Sequence, residues 1–396
     1  MKILLVHDYG VLAGGAERIT FDLRGGLRAR GHDARLFAST AQPLSLPNEA
    51  DDTCYGTTAW PQRFLQVANP FAERALRRVL AAFRPDVVHV RMFLTQLSPR
   101  ILPVLAKVPA LLHLGGYHTI CPLGTRILPD ESECTFRAGV ECYRQGCISS
   151  LGLARTLLQL GSWRRHRRVF RRIVANSHAL AQTLRANDVD VSEVIPNGTR
   201  VIAARPSLGE RPTIACVGRL VARKGVDVLL DAMRIVVGRV PGAHLLIAGD
   251  GPDRARIEGL VGSMSLASCV TMRGHVAGPQ RDAQLSTAWV QAMPSRYAEP
   301  SANVIAEAMM RGTAVVATNI GGTPEMVRDG VTGFIVPPAS APQLADRLLL
   351  LLGDRALSER MGAAGRNVAL AELATGRMID RFESTYAEIL QPAEPG

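Results

Sequence analysis

Residues 213–233, TIACVGRLVARKGVDVLLDAM, read as a buried strand, a basic loop and a helix in direct succession. The apolar run at 213–217 is typical of a strand, the loop carries Gly218, Arg219 and Lys224, and an apolar helical pattern continues through 228–237. The first half of the chain opens in the same way, with an apolar run at 2–6, a glycine loop at 14–17 and a helical pattern through residue 27. Strands that alternate with helices predict parallel sheets covered on both faces.

This rhythm fills both halves of the chain. Further strands are predicted at 34–38, 86–90, 110–114, 173–175, 244–248, 270–272, 290–293, 314–317 and 333–336. A length of 396 residues favours two domains. We therefore predict an α/β protein with two Rossmann-like parallel-sheet domains, residues 1–196 and 197–373, separated near the turn-rich segment 197–212. Helices are predicted at 341–352 and 357–370, and a C-terminal helix within 374–396 is expected to pack back on the first domain. Ligands of open α/β sheets bind at the carboxyl ends of the strands, so the expected site is a cleft between the two domains.

Composition excludes several classes of protein. Apolar residues make up 47% and charged residues 20% of the chain, which excludes a disordered protein and a coiled coil. The apolar run at 348–352 is far shorter than the roughly 20 residues that cross a bilayer. The N-terminal segment MKILLVHDYG reaches charged residues too early for a secretory signal, and seven cysteines do not suggest a disulfide scaffold. We expect a cytoplasmic protein, with peripheral contact at the inner membrane face as an option.

The chain is strongly basic, with a net charge of +11 and only three lysines among its 46 basic residues. Such a charge suits an anionic partner: a nucleotide diphosphate, an anionic lipid surface or nucleic acid. The densest run is WRRHRRVFRR at 163–172, which as a helix would bury Trp163, Val169, Phe170 and Ile173 beneath a basic face. A solvated basic helix and a membrane contact both stay open. Nucleic-acid binding is disfavoured because no recognised nucleic-acid motif accompanies the run.

Two glutamates flank a predicted helix in EPSANVIAEAM, residues 299–309. Glu299 precedes the helix and Glu307 lies within it, so about 12 Å would separate them if both were helical. They are suited to touch different parts of one extended ligand, or they are simply surface residues. The free amides near 302–304 and the positive end of the helix could hold a phosphate.

Two loops supply further candidates for phosphate binding. Arg219 and Lys224 follow the strand at 213–217 and could together neutralise a diphosphate leaving group without a metal. Gly14 and Gly15 open the first helix and would let backbone approach a ligand. Solvated charges and a structural turn are the respective alternatives.

Together these features resemble the retaining glycosyltransferases of family 4, which have the GT-B fold. The resemblance covers nearly the whole chain and rests on the segments above with GGAE at 14–17, VIPNGT at 194–199, LLIAGDGP at 245–252, MRGHV at 272–276 and IGGTPEMVRDGVTGFIVPP at 320–338. It implies metal-independent transfer of a sugar from a nucleotide-diphosphate donor to the hydroxyl of a saccharide or lipid-linked saccharide, in polysaccharide or other glycan biosynthesis, with no cofactor. A sugar-nucleotide epimerase of the same fold, a natural-product glycosyltransferase and a non-catalytic sugar-nucleotide or lipid-surface binding protein are the alternatives.

The resemblance also implies roles for individual residues. Arg219 and Lys224 would bind the donor diphosphate, and Glu307 would bind the ribose hydroxyls. Glu299 and the backbone of Ser301, Ala302, Asn303 and Val304 would hold the transferred sugar. Gly14 and Gly15 would approach the β-phosphate, while Gly274 and His275 would flank the base.

The chain departs from the family pattern in two places. Residues 300–302 read Pro-Ser-Ala where an aromatic-glycine step is common, which leaves the donor sugar open. Gly115 and Gly116 stand where related chains often carry a histidine before an Asp-Tyr or Asn-Tyr step. His113 or His118 could substitute, and we take His118 as the candidate.

Four cysteines fall within one short segment, at Cys121, Cys134, Cys142 and Cys147. Four thiolates are the usual number for a tetrahedral structural zinc, but the segment lacks a C-x2-C knuckle. A zinc site and paired or free thiols both stay open.

Overall fold

The computed structural model describes residues 1–12, 14–60, 62–276 and 278–391. The chain divides into two compact units. Unit 1 comprises Met1–Gly198 and Thr375–Gly396, and unit 2 comprises Thr199–Ala374. The boundary expected at residue 196 compares with a division between Gly198 and Thr199, and the last five residues of the C-terminal segment, 392–396, lie outside the described residues.

Unit 1 is built on a seven-stranded parallel sheet of order β3-β2-β1-β4-β5-β6-β7. Its strands are β1 Lys2–Tyr9, β2 Asp33–Ser39, β3 Asp52–Cys54, β4 Val87–Val90, β5 Ala110–Leu114, β6 Arg172–Ala175 and β7 Glu193–Val194. Its first helices are α1 Gly15–Ala29, α2 Gln62–Leu65, α3 Pro70–Phe83, α4 Leu102–Leu105, α5 Val140–Arg144, α6 Ser150–His166 and α7 His178–Arg185. The carboxyl ends of β1, β4 and β5 lie side by side at the middle of this sheet.

Unit 2 is built on a six-stranded parallel sheet of order β10-β9-β8-β11-β12-β13. Its strands are β8 Thr213–Val217, β9 His244–Ala248, β10 Val270–Met272, β11 Val290–Met293, β12 Ala314–Thr318 and β13 Gly333–Val336. The helices are α8 Val226–Arg239, α9 Arg254–Ser263, α10 Gly278–Leu285, α11 Asn303–Arg311, α12 Thr323–Met326, α13 Ala341–Gly353 and α14 Arg355–Val368. A wider helical turn at Ala369–Leu373 leads to α15, Thr375–Leu390, which belongs to unit 1.

Each sheet is covered by apolar side chains on both faces. In unit 1, one face of the sheet packs on α3, α4 and α6, while the other packs on α1 and on α15 through Met378, Ile379, Phe382, Tyr386 and Ile389. In unit 2, α8 and α13 cover one face, and α11 contributes its buried methionines to the other. These two parallel-sheet domains confirm the predicted α/β class.

The prediction of a continuous helix through 163–172 is wrong. Helix α6 ends at His166, a short turn spans Arg167–Val169, and the chain enters β6 at Arg172. Ile173 pairs in register with Leu112 of β5, so the chain must leave the helix before that residue. Trp163 and Phe170 are buried as expected, but Phe170 is buried from extended backbone.

No helix of the described ranges is long and apolar enough to cross a membrane.

Candidate functional site

The loop after β8 is shaped by glycines that no other residue could replace without strain. Gly225 has a left-handed backbone, with φ of +66°, and a Cβ there would lie 2.1 Å from the carbonyl oxygen of Pro294. A Cβ at Gly249 would lie 1.8 Å from the carbonyl oxygen of Gly218. Backbone therefore approaches backbone directly at both positions. This close packing fixes the loop that carries Arg219 and Lys224.

Lys224 and Glu299 form an ion pair at the carboxyl edge of the unit 2 sheet. The Nζ atom of Lys224 lies 2.7 Å from Oε1 of Glu299, and the Ser295 hydroxyl donates a hydrogen bond to the same oxygen. Glu299 is only 5% exposed, and Gly322 donates its backbone N–H to the Glu299 carbonyl at 2.8 Å. Glu299 is thus fixed by contacts to its side-chain carboxylate and to its backbone carbonyl. The carboxylate in turn positions the ammonium group of Lys224.

The structure brings Arg219 and Lys224 into one pocket, as the sequence predicted. The pocket is lined by the end of β8, the loop after it, the end of β11 and the residues that follow β11, including Ser295. Arg219 is exposed at its mouth, and Lys224 is partly buried. Two cations beside one pocket are suited to bind a diphosphate.

Helix α11 begins at Asn303, three residues after Pro300 and two after Ser301, which the sequence marked as its start. Ala302 precedes it with extended-like backbone, and no side chain caps the helix. Ser301 and Ala302 connect the ion-paired Glu299 to this first turn. The uncapped amides are compatible with the predicted binding of a substrate oxygen by the backbone near Val304.

Glu307 lies in α11 and makes a contact that the sequence did not reveal. Its Oε2 atom lies 3.1 Å from Nη1 of Arg281, and both side chains are 17% exposed. Arg281 comes from α10, which follows the loop of Gly274 and His275. Gly274 has a left-handed backbone, with φ of +70°, and His275 is exposed. The sequence did not reveal the role of Arg281, because its ion-pair partner Glu307 is 26 residues away and no motif marks the arginine.

A second pocket lies in unit 1, at the carboxyl ends of β1, β4 and β5 and the start of α1. Its lining includes Glu17, Arg91, Gly115, Gly116 and His118. Gly14 precedes α1 and Gly15 begins it, and a Cβ at Gly14 would lie 3.1 Å from the Glu17 carboxylate. The Gly14 loop therefore lies beside this pocket.

Asp8 shapes this pocket by holding the loop after β4. Its two carboxylate oxygens accept hydrogen bonds from the backbone N–H groups of Thr95, Gln96 and Leu97 and from the Thr95 hydroxyl. Its hydrogen-bonding capacity is thus committed to the protein itself.

The structure distinguishes the two histidine candidates. His113 is fully buried, with its ring 4.8 Å from Phe382 of α15, so it faces away from the pocket. His118 lines the pocket with its ring against Gly124. The protein around His118 desolvates its ring and lowers its pKa, an effect that the Asp8 carboxylate partly opposes. His118 is therefore the neutral imidazole available in this pocket.

The four cysteines lie near one another without forming a metal site. Burial raises the pKa of the Cys142 thiol, and the neighbouring Cys121 and Cys134 raise it further. Burial and the other three thiols raise the pKa of the Cys147 thiol. Across the described part of the chain, no three His, Cys, Asp or Glu side chains are placed to hold a metal ion. The four cysteines are free thiols here, and a zinc site stays one of the alternatives that the sequence left open.

Two protein-family models match consecutive parts of the chain and together span residues 13–368. The model described as Glycosyltransferase Family 4 matches residues 13–201, and that described as Glycosyl transferases group 1 matches residues 200–368. Together they cover the whole unit 2 sheet, the unit 1 sheet except β1, and all of the predicted site residues.

Curated relatives agree with these models. A GDP-mannose-dependent alpha-(1-6)-phosphatidylinositol monomannoside mannosyltransferase of Mycobacterium tuberculosis is 38% identical over 47% of the chain and 50% of the relative. An alpha-D-kanosaminyltransferase of Streptomyces kanamyceticus is 34% identical over 47% of the chain and 48% of the relative. The chain thus spans about half the length of the first curated relatives it matches. A phosphatidyl-myo-inositol mannosyltransferase of Mycobacterium leprae is 28% identical over 92% of the chain and 91% of the relative.

Solved structures share the fold over the whole chain. A sucrose-phosphate synthase of Thermosynechococcus elongatus superposes with a TM-score of 0.75 at 23% identity, covering 98% of this chain and 99% of that one. Anabaena HepE in complex with UDP and glucose gives a TM-score of 0.69 at 19% identity, covering 98% of this chain and 100% of that one.

Proposed function

Because the chain belongs to the group 1 and family 4 glycosyltransferases and has their GT-B fold, we propose that it transfers a sugar from a nucleotide-diphosphate donor to an acceptor hydroxyl with retention of configuration. The observation that supports this most is the unit 2 pocket, where Arg219 and Lys224 converge and the buried Glu299 holds the lysine. The proposed reaction needs no metal, since these two cations supply the positive charge that the departing diphosphate requires.

The proposed chemistry follows from the placement of these side chains. Arg219 and Lys224 bind the diphosphate oxygens, so that negative charge developing on the leaving group is stabilised as the bond from sugar to phosphate breaks. The acceptor hydroxyl attacks the sugar on the same face from which the diphosphate leaves. The proton of the hydroxyl passes to the departing phosphate oxygen. Glu299 contacts Lys224 and Ser295 through Oε1, and its other carboxylate oxygen, Oε2, would bind a hydroxyl of the transferred sugar.

The names of the relatives suggest which substrates to test first. Mannosyltransferases named for GDP-mannose and for phosphatidylinositol acceptors make GDP-mannose the first donor and a lipid-linked acceptor the first acceptor. The kanosaminyltransferase supports a small-molecule acceptor as the second candidate. The proposed setting is the biosynthesis of a glycan or glycolipid.

An apolar surface in unit 1 supports contact with a lipid surface. A groove of about 1380 Å³ lies between α2 and α6, and its walls include Trp60 and Leu158, which are 69% and 62% exposed. Arg63 and Arg155 border it, and the exposed Arg164 and Arg165 continue along α6. Contiguous exposed apolar residues mark interaction surfaces, and flanking cations favour an anionic leaflet. We place the enzyme in the cytoplasm, at the inner face of the membrane.

Zinc binding by Cys121, Cys134, Cys142 and Cys147 stays a prediction. Bound zinc would draw the four thiols together as thiolates, whose mutual repulsion the ion would neutralise. Metal analysis of the purified protein that finds well under one zinc per chain would rule it out.

A transfer assay tests the proposed function. The protein is incubated with GDP-mannose, UDP-glucose or ADP-glucose and a membrane lipid extract, and the release of nucleoside diphosphate and the anomeric proton of the product are followed by NMR. We expect one donor to give a product with the donor's anomeric configuration. Inversion would contradict the retaining mechanism, and interconversion of the nucleotide sugar without any acceptor would indicate an epimerase instead.

A further inference from the structure

Arg91 is a buried cation that the protein leaves without an ion pair. It directly follows β4, is 4% exposed and lines the unit 1 pocket. Its backbone N–H donates to the Val6 carbonyl of β1 at 2.9 Å, which fixes where the side chain starts. Within the described ranges, its Nε and Nη1 atoms have no hydrogen-bond partner.

Arg91 stays charged in this setting. Burial lowers its pKa to about 10, and the Glu17 carboxylate partly opposes the change. At neutral pH the guanidinium is therefore protonated, and an unpaired buried charge is costly to a fold. A protein retains such a group where something outside the fold completes it.

Among the described residues, no acidic side chain forms an ion pair with Arg91, and Glu17 acts on it only at longer range. Burial, together with the charge of Arg91, lowers the pKa values of His7, His89 and His113, so these rings are neutral. Asp8 is committed to the loop after β4. Glu17 forms no ion pair with Arg91, and hydrogen bonds from backbone N–H groups at the start of α1 hold its carboxylate.

Side-chain N–H groups of Arg91 and Asn176 both approach Gly115, which as a glycine leaves the Cβ position empty. An atom in the Cβ position of Gly115 would lie 3.1 Å from Nη2 of Arg91 and 3.5 Å from Nδ2 of Asn176. Asn176 is itself 3% exposed. The space that the glycine leaves open therefore has N–H donors on two sides, which is the arrangement that holds an oxyanion.

We propose that the unit 1 pocket recognises an acceptor through an anionic group, a carboxylate or a phosphate, which Arg91 and Asn176 bind beside Gly115. This inference rests on the proposed glycosyltransferase function, because it assigns the acceptor to this pocket. It narrows the acceptor to an acidic saccharide or a phosphate-bearing one. Arginine binds either group through paired hydrogen bonds, and neutral sugars offer it no matching charge.

The test is calorimetric titration of the full chain with glucuronic acid, glucose 6-phosphate, inorganic phosphate and glucose. We expect glucuronic acid or glucose 6-phosphate to bind and glucose not to bind. Arg91→Gln should weaken that binding about ten- to hundredfold, the usual loss for a charged hydrogen bond. Binding of glucose as tight as that of both acidic sugars would overturn the proposal.

Two further variants separate binding from folding. Gly115→Ala keeps Arg91 but fills the space beside it, and it should weaken binding of the acidic sugar as well. Arg24→Gln is the matched control, because Arg24 is a buried arginine of the same unit that is already paired with Asp51 at 2.9 Å. It should lower the melting temperature and leave anion affinity unchanged, whereas Arg91→Gln should keep or raise the melting temperature. A loss of anion affinity in Arg24→Gln equal to that in Arg91→Gln would contradict the proposal.

Titrations with GDP, UDP and UDP-glucuronic acid distinguish a failure of the proposed anion site from a failure of the proposed function. Nucleotide binding without binding of any acidic sugar would overturn the anion site and leave the proposed function standing. Failure of every nucleotide to bind would count against the proposed function itself. Binding of UDP-glucuronic acid that depends on Arg91, with no binding of free acidic sugars, would assign the anion to the donor and overturn the acceptor site.

Discussion

Lys224 is one of only three lysines in the chain, and it lies in the pocket of unit 2 rather than on the open surface. Its contact with Glu299 orients the ammonium group toward the cavity that Arg219 borders. Lys224→Ala should lower turnover about 10²- to 10³-fold, because it removes stabilisation of charge in the transition state. Steady-state kinetics against Lys107→Ala, at an exposed lysine of unit 1, would measure this. Turnover unchanged in both Lys224→Ala and Arg219→Ala would refute the assignment of the site.

Glu299 is expected to act on the sugar and on Lys224 rather than on the nucleotide alone. Glu299→Gln keeps the size of the side chain but removes the charge that pairs with the lysine. It should lower the rate of transfer more than the affinity for the free nucleoside diphosphate, as determined by kinetics and calorimetry on the same preparation. Equal losses in both quantities would show that its role has been misplaced.

Candidate site residues in short sequence motifs could be predicted from the sequence. Interactions between residues far apart in the chain could not. Arg219, Lys224 and Glu299 stand in short recognisable segments, and the structure brings them to one place. Arg91 is different, since it becomes an unpaired cation only through the packing of β1, β4 and β5 around it. The only signal was a charged residue directly after an apolar strand, at the edge where ligands bind.

The conformation of the loop between β8 and α8 depends on the glycine at position 225. Any side chain there would need a left-handed backbone and would meet the Pro294 carbonyl. Gly225→Ala should therefore reduce both the thermal stability of unit 2 and nucleotide affinity. Gly242→Ala, at a site with open space, is the control and should change neither. Thermal denaturation with and without nucleotide would show the difference, and equal behaviour of the two variants would contradict this account of the loop.

Helix α15 seals buried histidines against the sheet of unit 1. Nδ1 of His89 lies 2.7 Å from the Tyr386 hydroxyl, and the centroid of the His113 ring lies 4.8 Å from that of Phe382 at an interplanar angle of 48°. Burial and Arg91 hold the pKa values of both histidines well below 6.5, so they are neutral when folded and take up protons on unfolding in acid. Folding stability is thus present above pH 6.5 and falls as the pH drops below it.

The His113→Phe variant tests this coupling. Each neutral buried histidine contributes about 1.4 kcal/mol per pH unit to the slope below its unfolded pKa. Urea denaturation between pH 7 and pH 5 should show a shallower loss of stability in the variant than in the wild type. Identical slopes would mean that His113 does not titrate differently on folding.

Elements with strong apolar patterns could be predicted from the sequence, and weak ones could not. The strands at 110–114, 213–217, 244–248 and 290–293 have the bounds that their apolar runs indicated. The short strands β3 and β7 at the edges of the sheet were missed, because two or three residues carry too little pattern. The end of α6 was misplaced because its arginines suit a helix while the residues that follow pair in the sheet.

For the molecule as a whole, the apolar groove between α2 and α6 predicts binding to an anionic membrane. Leu158→Glu places a negative charge in this groove and should reduce cosedimentation with vesicles that contain phosphatidylglycerol. Leu350→Glu, at an exposed leucine of unit 2, serves as the control. Wild-type protein that does not cosediment with these vesicles, or equal cosedimentation of the two variants, would contradict the proposed membrane contact.

The identity of donor and acceptor is the part that the sequence alone could not supply. The fold, and the residues proposed to bind the diphosphate, stand in segments that match the family models. Under the proposed function, sugar specificity would depend on how residues 300–302 and Gly115 shape their pockets, where this chain departs from the family pattern. Such departures change pocket shape and charge in ways that become visible only when distant strands are packed together.

A donor site built on Lys224 is best tested by calorimetric titration with GDP, UDP, ADP and dTDP on the wild type, Lys224→Ala and the control Lys107→Ala. We expect one nucleotide to bind the wild type and Lys107→Ala alike, and its binding to be lost or strongly weakened in Lys224→Ala. A nucleotide that binds all three proteins with equal affinity, or no binding of any nucleotide to the wild type, would contradict a donor site built on Lys224.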